Sequence, residues 1–375
     1  MSGRWSAEEP VIDGKTRAWI EAYDELAPIE RATLPPAQWY TSPEIATLER
    51  ATVWRDQWVC AGPLAALSEP GRYLSGDIAG QPWAVIADID GQPRGFWNIC
   101  RHQGAILLDG DGALPRGSGD EPLIRCPYHG WTWRCDGQFR HAPKLAGVED
   151  FDRRATALWP LHVLAWGPLV LIAFGPTPPP PPSSALLEIM DATGWRDLSL
   201  IASEEFVVQA NWKVFIDNYL DGGYHVPVAH PGLNAGLDGK SYTLERGDGW
   251  SIQRCDASGD DPRVAGQATY AWLYPGLCLN RYGDWLDLNI VEPISADRCR
   301  VRFYWLNRSA SLPQSELESA LEDSRQVQHE DDWLCERVQR GKASTRYEPG
   351  RYVPKMEPLE RDFHRWLKRD YLRPA

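Results

Sequence analysis

Two short stretches decide how the chain is read: Cys100-Arg101-His102-Gln103-Gly104 and Cys126-Pro127-Tyr128-His129-Gly130-Trp131. In each, a cysteine is followed within three residues by a histidine. That spacing puts both side chains at one tight turn, and Gly130 allows the backbone to approach closely there. The 23 residues between the pairs include Asp109 to Glu121, DGDGALPRGSGDE, which has almost nothing to bury and reads as a surface loop. Outward from the turns, short apolar runs at Trp58 to Ala61, Trp83 to Ala87 and Leu169 to Phe174 are separated by Gly, Pro and Asp. That pattern predicts an all-β domain over 39–175, preceded by a helical segment over 1–38. Pro176 to Ser184 can continue neither a helix nor a central strand and predicts an extended connector. The second domain then covers 176–375. In it we expect a helix at Ser184 to Met190, strands at Glu204 to Gln209, Tyr270 to Leu279, Leu286 to Val291 and Arg300 to Leu306, and a long helix from about Ser315 to Arg340. The fold class is α+β, with a sheet packed by helices in the second half.

Two thiolates and two imidazoles from the turns could bind one zinc ion, yet finger-type zinc sites pair Cys with Cys and His with His. Cys100, His102, Cys126 and His129 match better the donor set of a 2Fe-2S cluster of the Rieske kind, in which one iron takes two Cys and the other two His. Structural zinc is the alternative. The other six cysteines, Cys60, Cys135, Cys255, Cys278, Cys299 and Cys335, read as small buried hydrophobes.

A second constellation lies in Asn211 to Gly232, NWKVFIDNYLDGGYHVPVAHPG, with His225 and His230 five apart. A lone histidine is more often packed than ligating, but two beside Asp217, Asp221 and Tyr224 suit non-haem Fe(II), which takes two His and a carboxylate on one face and leaves other positions for O2. The long C-terminal helix offers the carboxylate. Its apolar residues Leu317, Leu321, Val327, Leu334 and Val338 share a face with Asp331, while Asp332 points about 100° away and is expected in solvent. On periodicity alone Asp331 reads equally well as a ligand or as an acid at a wet helix edge.

Composition narrows the classes further. The 375 residues, 43% hydrophobic and 24% charged, form about two domains and contain no apolar run of the ~20 residues that span a bilayer, so a membrane protein is not expected. A net charge of −13, from 52 acidic and 39 basic residues, disfavours nucleic acid as a partner. The opening MSGRWSAEEP has neither the apolar stretch of a secretory signal nor the character of a transit peptide, which predicts a cytoplasmic location. Nineteen tryptophans suggest an aromatic-lined pocket as well as an aromatic core. No Gly-rich dinucleotide fingerprint is present, so NAD(P)H would be oxidised by a separate protein.

Taken together, these residues resemble the α-subunits of Rieske non-haem iron oxygenases from about Trp39 to His364. Asp217 to His230, Leu279 to Asn289 (LNRYGDWLDLN) and Val327 to Gly341 are similar to the choline monooxygenase branch. The resemblance implies that Cys100, His102, Cys126 and His129 hold the cluster, and that His225, His230 and Asp331 hold a mononuclear iron that binds O2. It also makes Asp221 the acid bridging a cluster histidine of one subunit to an iron histidine of the next. The implied fold is a Rieske domain of β-sheets followed by a catalytic domain with an antiparallel sheet flanked by helices, assembled as a homotrimer fed by a reductase or ferredoxin. The sequence departs from the family pattern at Gln103, where an arginine is common. It also departs at Asp221, four rather than three residues before the first iron histidine, where Gly222 and Gly223 can absorb the extra residue. The branch implies a small quaternary ammonium substrate, hydroxylated as choline is or N-demethylated, with Asn218, Tyr270, Trp272, Tyr282 and Trp285 as candidate pocket residues and Tyr274 among the nearby aromatics. An oxygenase for an aromatic or natural-product substrate is the runner-up, and an electron carrier with a dead second site is disfavoured by the intact iron ligand set.

Overall fold

The computed structural model describes residues 12–117, 120–258 and 266–373. The opening MSGRWSAEEP and two residues of the Asp109 to Glu121 loop lie outside them. The chain divides into two compact units, 58–179 and a second formed by the described residues up to Gln57 together with those from Pro180 onward.

In the first unit, β1 (Val59–Pro63), β2 (Arg72–Ile78), β3 (Gln81–Ala87), β4 (Pro93–Trp97), β5 (Gly112–Ala113), β9 (Pro160–Trp166) and β10 (Leu169–Ala173) form an antiparallel sheet in the order β1-β10-β9-β4-β3-β2-β5. A three-stranded sheet of β6 (Leu123–Arg125), β7 (Thr132–Arg134) and β8 (Phe139–His141) carries the second Cys/His turn. The core between them is built from Ile86, Phe96, Trp131, Trp133 and Phe139, with Cys100 and Cys126 inside it. Asp109 to Glu121 is not wholly loop, because Gly112 and Ala113 pair with Tyr73 and Arg72 at the sheet edge.

The second unit is organised by seven antiparallel strands, β11 (Ser199–Val208), β12 (Leu237–Gly247), β13 (Trp250–Ala257), β14 (Gln267–Leu273), β15 (Leu277–Tyr282), β16 (Trp285–Ser295) and β17 (Arg298–Asn307), in the order β11-β17-β16-β15-β14-β13-β12. The expected single strand Tyr270 to Leu279 is two, because the chain reverses at Tyr274-Pro275-Gly276 and β15 pairs antiparallel with β14, Leu273 opposite Leu277. The helices are α1 (Gly14–Glu21), α2 (Gln38–Thr41), α3 (Pro43–Ala51), α4 (Val53–Asp56), α5 (Ser184–Ala192), α6 (Trp212–Tyr219), α7 (Val226–Ala229), α8 (Pro231–Ala235), α9 (Gln314–Lys342) and α10 (Pro358–Tyr371).

The expected boundary at residue 39 moves to the end of α4. Residues 39–57 are helical and pack with the second unit: Trp54 lies edge-on to Trp212 with centroids 4.8 Å apart, and Trp39 lies edge-on to Tyr371 at 5.0 Å. A buried ion pair locks this arrangement. Lys213 Nζ donates to Glu49 Oε1 at 2.5 Å, Trp212 Nε1 donates to Glu49 Oε2 at 2.9 Å, and the Tyr371 hydroxyl also donates to Glu49. One carboxylate on α3 thus ties α6 to α10.

The phase of α9 also differs from expectation. Its buried face is Leu321, Ser324, Gln328, Cys335, Gln339 and Lys342, whereas Val338 is 44% exposed. Apolar periodicity misses this face because its polar members are paired: Gln339 accepts from the Asn211 N–H and donates to the Tyr40 carbonyl, and Ser324 accepts from Trp305.

Removing one partner of a buried pair strands the other charge. Glu49→Ala is therefore expected to destabilise the second unit by about 3–5 kcal/mol, measured as a shift in the urea midpoint. An unchanged midpoint would show that α1–α4 are not held as described.

Candidate metal centres and substrate cavity

The two Cys/His turns are built alike. The Gly104 N–H donates to the Cys100 carbonyl at 3.0 Å and the Gly130 N–H to the Cys126 carbonyl at 3.1 Å, so each turn closes four residues after its cysteine. Both glycines have positive φ, 76° and 71°, a region that side chains other than glycine rarely adopt. The turns bury the sulfurs, Cys100 at 3% and Cys126 at 2% exposure, and leave His102 and His129 at the surface with ring centroids 4.9 Å apart. Burial pushes the Cys100 thiol pKa up, opposed by the backbone N–H groups of His102 and Gln103, which point at the sulfur and favour its thiolate. His102 is stacked on Trp131 at 4.6 Å.

Among the described residues, three or more ligand atoms lie within 4.8 Å of one another in two places, and neither includes these cysteines. A single zinc ion would need that convergence. An inner pair of sulfurs and an outer pair of imidazoles fits two irons bridged by sulfide. Gln103 is exposed and the adjacent Arg101 does the tying, with its guanidinium 3.7 Å from the Trp159 ring centroid and donating to the carbonyls of Ala155 and Ala157.

The second centre forms where α6 breaks. After Tyr219 the chain turns through Gly222 and Gly223, both at positive φ, and a Cβ on Gly222 would lie 2.2 Å from the Met356 carbonyl oxygen. This reversal brings the Asp221 carboxylate over the following turn. Its Oδ1 accepts from the Tyr224 N–H, while Oδ2 accepts from the His225 N–H and lies 2.7 Å from His225 Nδ1. A carboxylate can only accept, so Nδ1 carries the proton and Nε2 keeps its lone pair for a metal. The reversal from Asp221 to His225 runs through these two glycines.

His225 Nε2 is 3.2 Å from His230 Nε2, and Asp331 Oδ1 is 3.0 Å from His230 Nε2 and 3.7 Å from His225 Nε2. His225, His230 and Asp331 are one of the two convergent groups, a donor set that suits non-haem Fe(II). Burial opposes a charge on His230, but Asp331 and Glu330 outweigh it and push its pKa to about 8. The other group, Asp217, Glu360 and His364, has cations already at hand: Lys342 and Lys213 both act electrostatically on its members. There His364 Nε2 meets Asp217 at 2.9 Å and the Tyr40 hydroxyl at 2.8 Å.

Two features were not anticipated. Glu330 Oε2 lies 2.7 Å from His230 Nδ1 and does for that ring what Asp221 does for His225. In the run His329-Glu330-Asp331-Asp332 nothing in the sequence separates ligand, ring partner and bystander. Asp332, expected in solvent, is instead largely buried and accepts from Gln328 Nε2 at 2.5 Å, with burial raising its pKa to about 6. The helix phase separates it from Asp331 as expected, but that direction faces protein.

Beside His225, His230 and Asp331 lie two cavities, of about 290 and 110 Å³, whose linings share Asn218, Tyr219, Leu233, Tyr270, Asn280, Val327 and Asp331. Of the expected pocket residues, Asn218, Tyr270 and Tyr282 line the larger one. Asn218 Nδ2 also donates to Asp331 Oδ1 at 2.7 Å. Trp272 and Trp285 do not line either cavity. Trp272 shares a strand face with Tyr270, but α10 covers its position: its ring stacks on Trp366 at 5.5 Å and meets Phe363 edge-on. Trp285, 6% exposed, lies beyond the cavity at the β15–β16 hairpin, paired with Tyr282. The floor is polar, since Asn280, Asp287 and Asn289 point into the space, and Asn280 Nδ2 donates to Asn289 Oδ1 at 2.6 Å.

Two family models match the chain: the Rieske [2Fe-2S] domain over residues 57–152, and the ring hydroxylating alpha subunit (catalytic domain) over 195–372. The chain belongs to the α-subunits of the Rieske non-haem iron oxygenases. It is 35% identical over 365 residues to the chloroplastic choline monooxygenase of Arabidopsis thaliana, covering 92% of this chain and 84% of the relative. It is 28% identical over 302 residues to the carnitine monooxygenase oxygenase subunit of Acinetobacter pittii, covering 75% and 77%. A solved quaternary ammonium Rieske monooxygenase, described in terms of carnitine oxidation by gut microbiota, superposes with a TM-score of 0.80 at 26% identity over 89% of this chain and 93% of that one. Membership makes the chain an oxidoreductase with a Rieske 2Fe-2S cluster, a mononuclear iron and O2 as co-substrate, its electrons coming from NAD(P)H through a separate reductase. Among the described residues no helix is long and apolar enough to cross a membrane.

Asp331→Ala is expected to lower iron from about three per chain to about two, with the cluster spectrum unchanged, while Asp332→Asn keeps all three. Equal loss in both variants would contradict the geometry of α9. Glu330→Ala should weaken mononuclear iron binding about 10–100-fold, read by metal titration of the apoprotein. His102→Cys or His129→Cys is expected to change the electron paramagnetic resonance signal of the reduced cluster, because the ligand field of the outer iron changes.

Proposed function

We propose that this enzyme hydroxylates a small quaternary ammonium compound such as choline, giving the hydrate of betaine aldehyde, or N-demethylates a related cation. The observation that carries the proposal is the character of the cavity beside His225, His230 and Asp331. Its lining combines aromatic rings at Phe215, Tyr270, Tyr282 and Phe303 with the carboxylates of Asp287, Asp323, Glu330 and Asp331, and among the described residues includes no lysine or arginine. A tetraalkylammonium has no N–H to donate, so it is held by ring faces and by charge. An uncharged aromatic substrate, the runner-up reading, would leave Asp287 and Asp323 facing a neutral surface.

In this reading His225, His230 and Asp331 would hold the iron, and the chemistry it would supply when bound is the activation of O2. One oxygen atom enters a C–H bond and the other leaves as water, with two electrons and two protons supplied from outside. The chain's own residues do the positioning. Asp221 and Glu330 hold the two imidazoles by Nδ1, leaving Nε2 aimed inward, and Asn218 holds one Asp331 oxygen. Hydroxylation at the carbon bearing the hydroxyl yields the aldehyde hydrate, and at an N-methyl it yields a carbinolamine that loses formaldehyde.

The enzyme works in this proposal as a cytoplasmic homotrimer fed by a reductase or ferredoxin, with Asp221 linking His225 to His129 of a neighbouring subunit. Support comes from the quaternary ammonium relatives and from the surface position of His129.

Two experiments test these statements. With a generic reductase, choline-type cations are expected to drive substrate-dependent NADH use with a product mass raised by one oxygen, or lowered by one methyl. Turnover of aromatic compounds alone would overturn the assignment. Mixing Cys100→Ala chains with His225→Ala chains should restore partial activity in mixed oligomers; mixed rings as inactive as their parents would refute transfer between subunits.

A further inference from the structure

Gln253 lies on β13 in the run Ser251-Ile252-Gln253, where every residue is buried, and is itself only 2% exposed. A buried amide is costly unless both its ends are paired. Here both are: Nε2 donates to the Tyr219 carbonyl at 2.6 Å, and Oε1 accepts from the Tyr242 hydroxyl at 3.4 Å. The Tyr219 carbonyl is where α6 stops. A helix leaves its last carbonyls without a donor from its own ladder, and this end lies inside the protein, with Leu220 fully buried. Gln253 supplies the missing donor from the sheet. The Tyr219 hydroxyl reaches the sheet as well, donating to Asn280 Oδ1 at 2.9 Å and to the Ala271 carbonyl at 3.1 Å.

We infer that Gln253 is a positioning residue for the mononuclear iron site, holding the end of α6 so that the reversal behind it presents His225 in one orientation. This rests on the assignment of His225, His230 and Asp331 as the ligands. From Tyr219 the chain reaches Asp221 in two residues, and Asp221 grips both the backbone N–H and Nδ1 of His225. Gly222 and Gly223 come next, both at positive φ, and glycine has more conformational freedom to lose than any other residue. Their path is therefore set from outside. Tyr242, the partner of Gln253, closes one side of it: a Cβ on Gly223 would lie 2.7 Å from the tyrosine ring. Gln253 and Tyr242 both line the smaller cavity together with His225, His230 and Asp331, so the clamp acts at the site itself. A group that orients a ligand from one layer out governs metal affinity along with geometry. Gln339 offers a matched contrast. It is another buried glutamine paired with backbone, but it holds the opposite end of α6 through the Asn211 N–H and lines neither cavity.

The test uses the full-length enzyme, treated with chelator so that the mononuclear iron leaves and the cluster stays, and titrates Fe(II) back under anaerobic conditions. Gln253→Met keeps the length of the side chain and removes its donor. It is expected to weaken Fe(II) binding about 10-fold or more, with the cluster spectrum unchanged. Gln339→Met, whatever its cost in urea midpoint, should bind Fe(II) as the wild type does. High-spin Co(II) at the same site gives a second readout, its electron paramagnetic resonance recorded with the cluster oxidised and silent: the signal should change in Gln253→Met and stay as it is in Gln339→Met. Wild-type Fe(II) affinity and Co(II) signal in Gln253→Met overturn the inference. An equal loss of affinity in the two variants overturns it too, since stability alone would then be the cause. Should Gln253→Met fail to fold, Gln253→Asn keeps the amide but withdraws it by one methylene, and wild-type affinity in that variant is equally fatal. The ligand assignment is checked separately, because a His225→Ala chain that takes up Fe(II) as the wild type does removes that assignment and the role of Gln253 with it.

Discussion

Two imidazole nitrogens 3.2 Å apart facing a carboxylate oxygen form a compact donor set that one shared cation would hold together, and the second unit is arranged to hold that meeting. The break after α6 supplies both histidines, and α9 brings Asp331 from a hundred residues away. Neither element could do so without outside restraint. Two glycines at positive φ fold Asp221 onto His225, and Glu330 pins the far side of His230. Each imidazole therefore presents the same nitrogen inward for a reason that lies one layer out.

That layer extends into the cavity. Its floor is a sheet face carrying Asn280, Asp287 and Asn289 where a core would ordinarily place apolar residues, and these groups make hydrogen bonds to one another, to Tyr219 and to the inward polar face of α9. Buried polar networks are costly when incomplete. Here the network serves two ends, positioning α9 against the sheet and giving the substrate space its negative character.

The cluster domain uses a different economy of means. Its candidate ligands come from two turns of the same design, each closed by a glycine four residues after the cysteine, so their placement is mostly local. The sulfurs sit in the core and the imidazoles at the surface. A centre built in this way exposes its histidine side to a partner while shielding its sulfur side.

This difference explains what could be read from the sequence alone. Cys100, His102, Cys126 and His129 could be proposed as one donor set because both turns are short-range, and His225 and His230 as part of another because they lie five residues apart. The long helix, the connector and most strands also followed from local periodicity and from proline. Asp331 could be narrowed to one helix face, yet its separation from Glu330 and Asp332 depends on what packs against α9, and that face proved to be polar. Likewise Tyr270 and Trp272 share a strand face and differ only because α10 covers one of them. Residues 39–57 joined the catalytic unit through Glu49, whose partners Lys213 and Tyr371 are far away in the chain. The sequence by itself determined the ligand types and the turns that present them, since those depend on bonds a few residues long. Tertiary structure alone decided which acids meet the histidines and which aromatics line the cavity, because burial and pairing are properties of neighbours that the chain order does not contain.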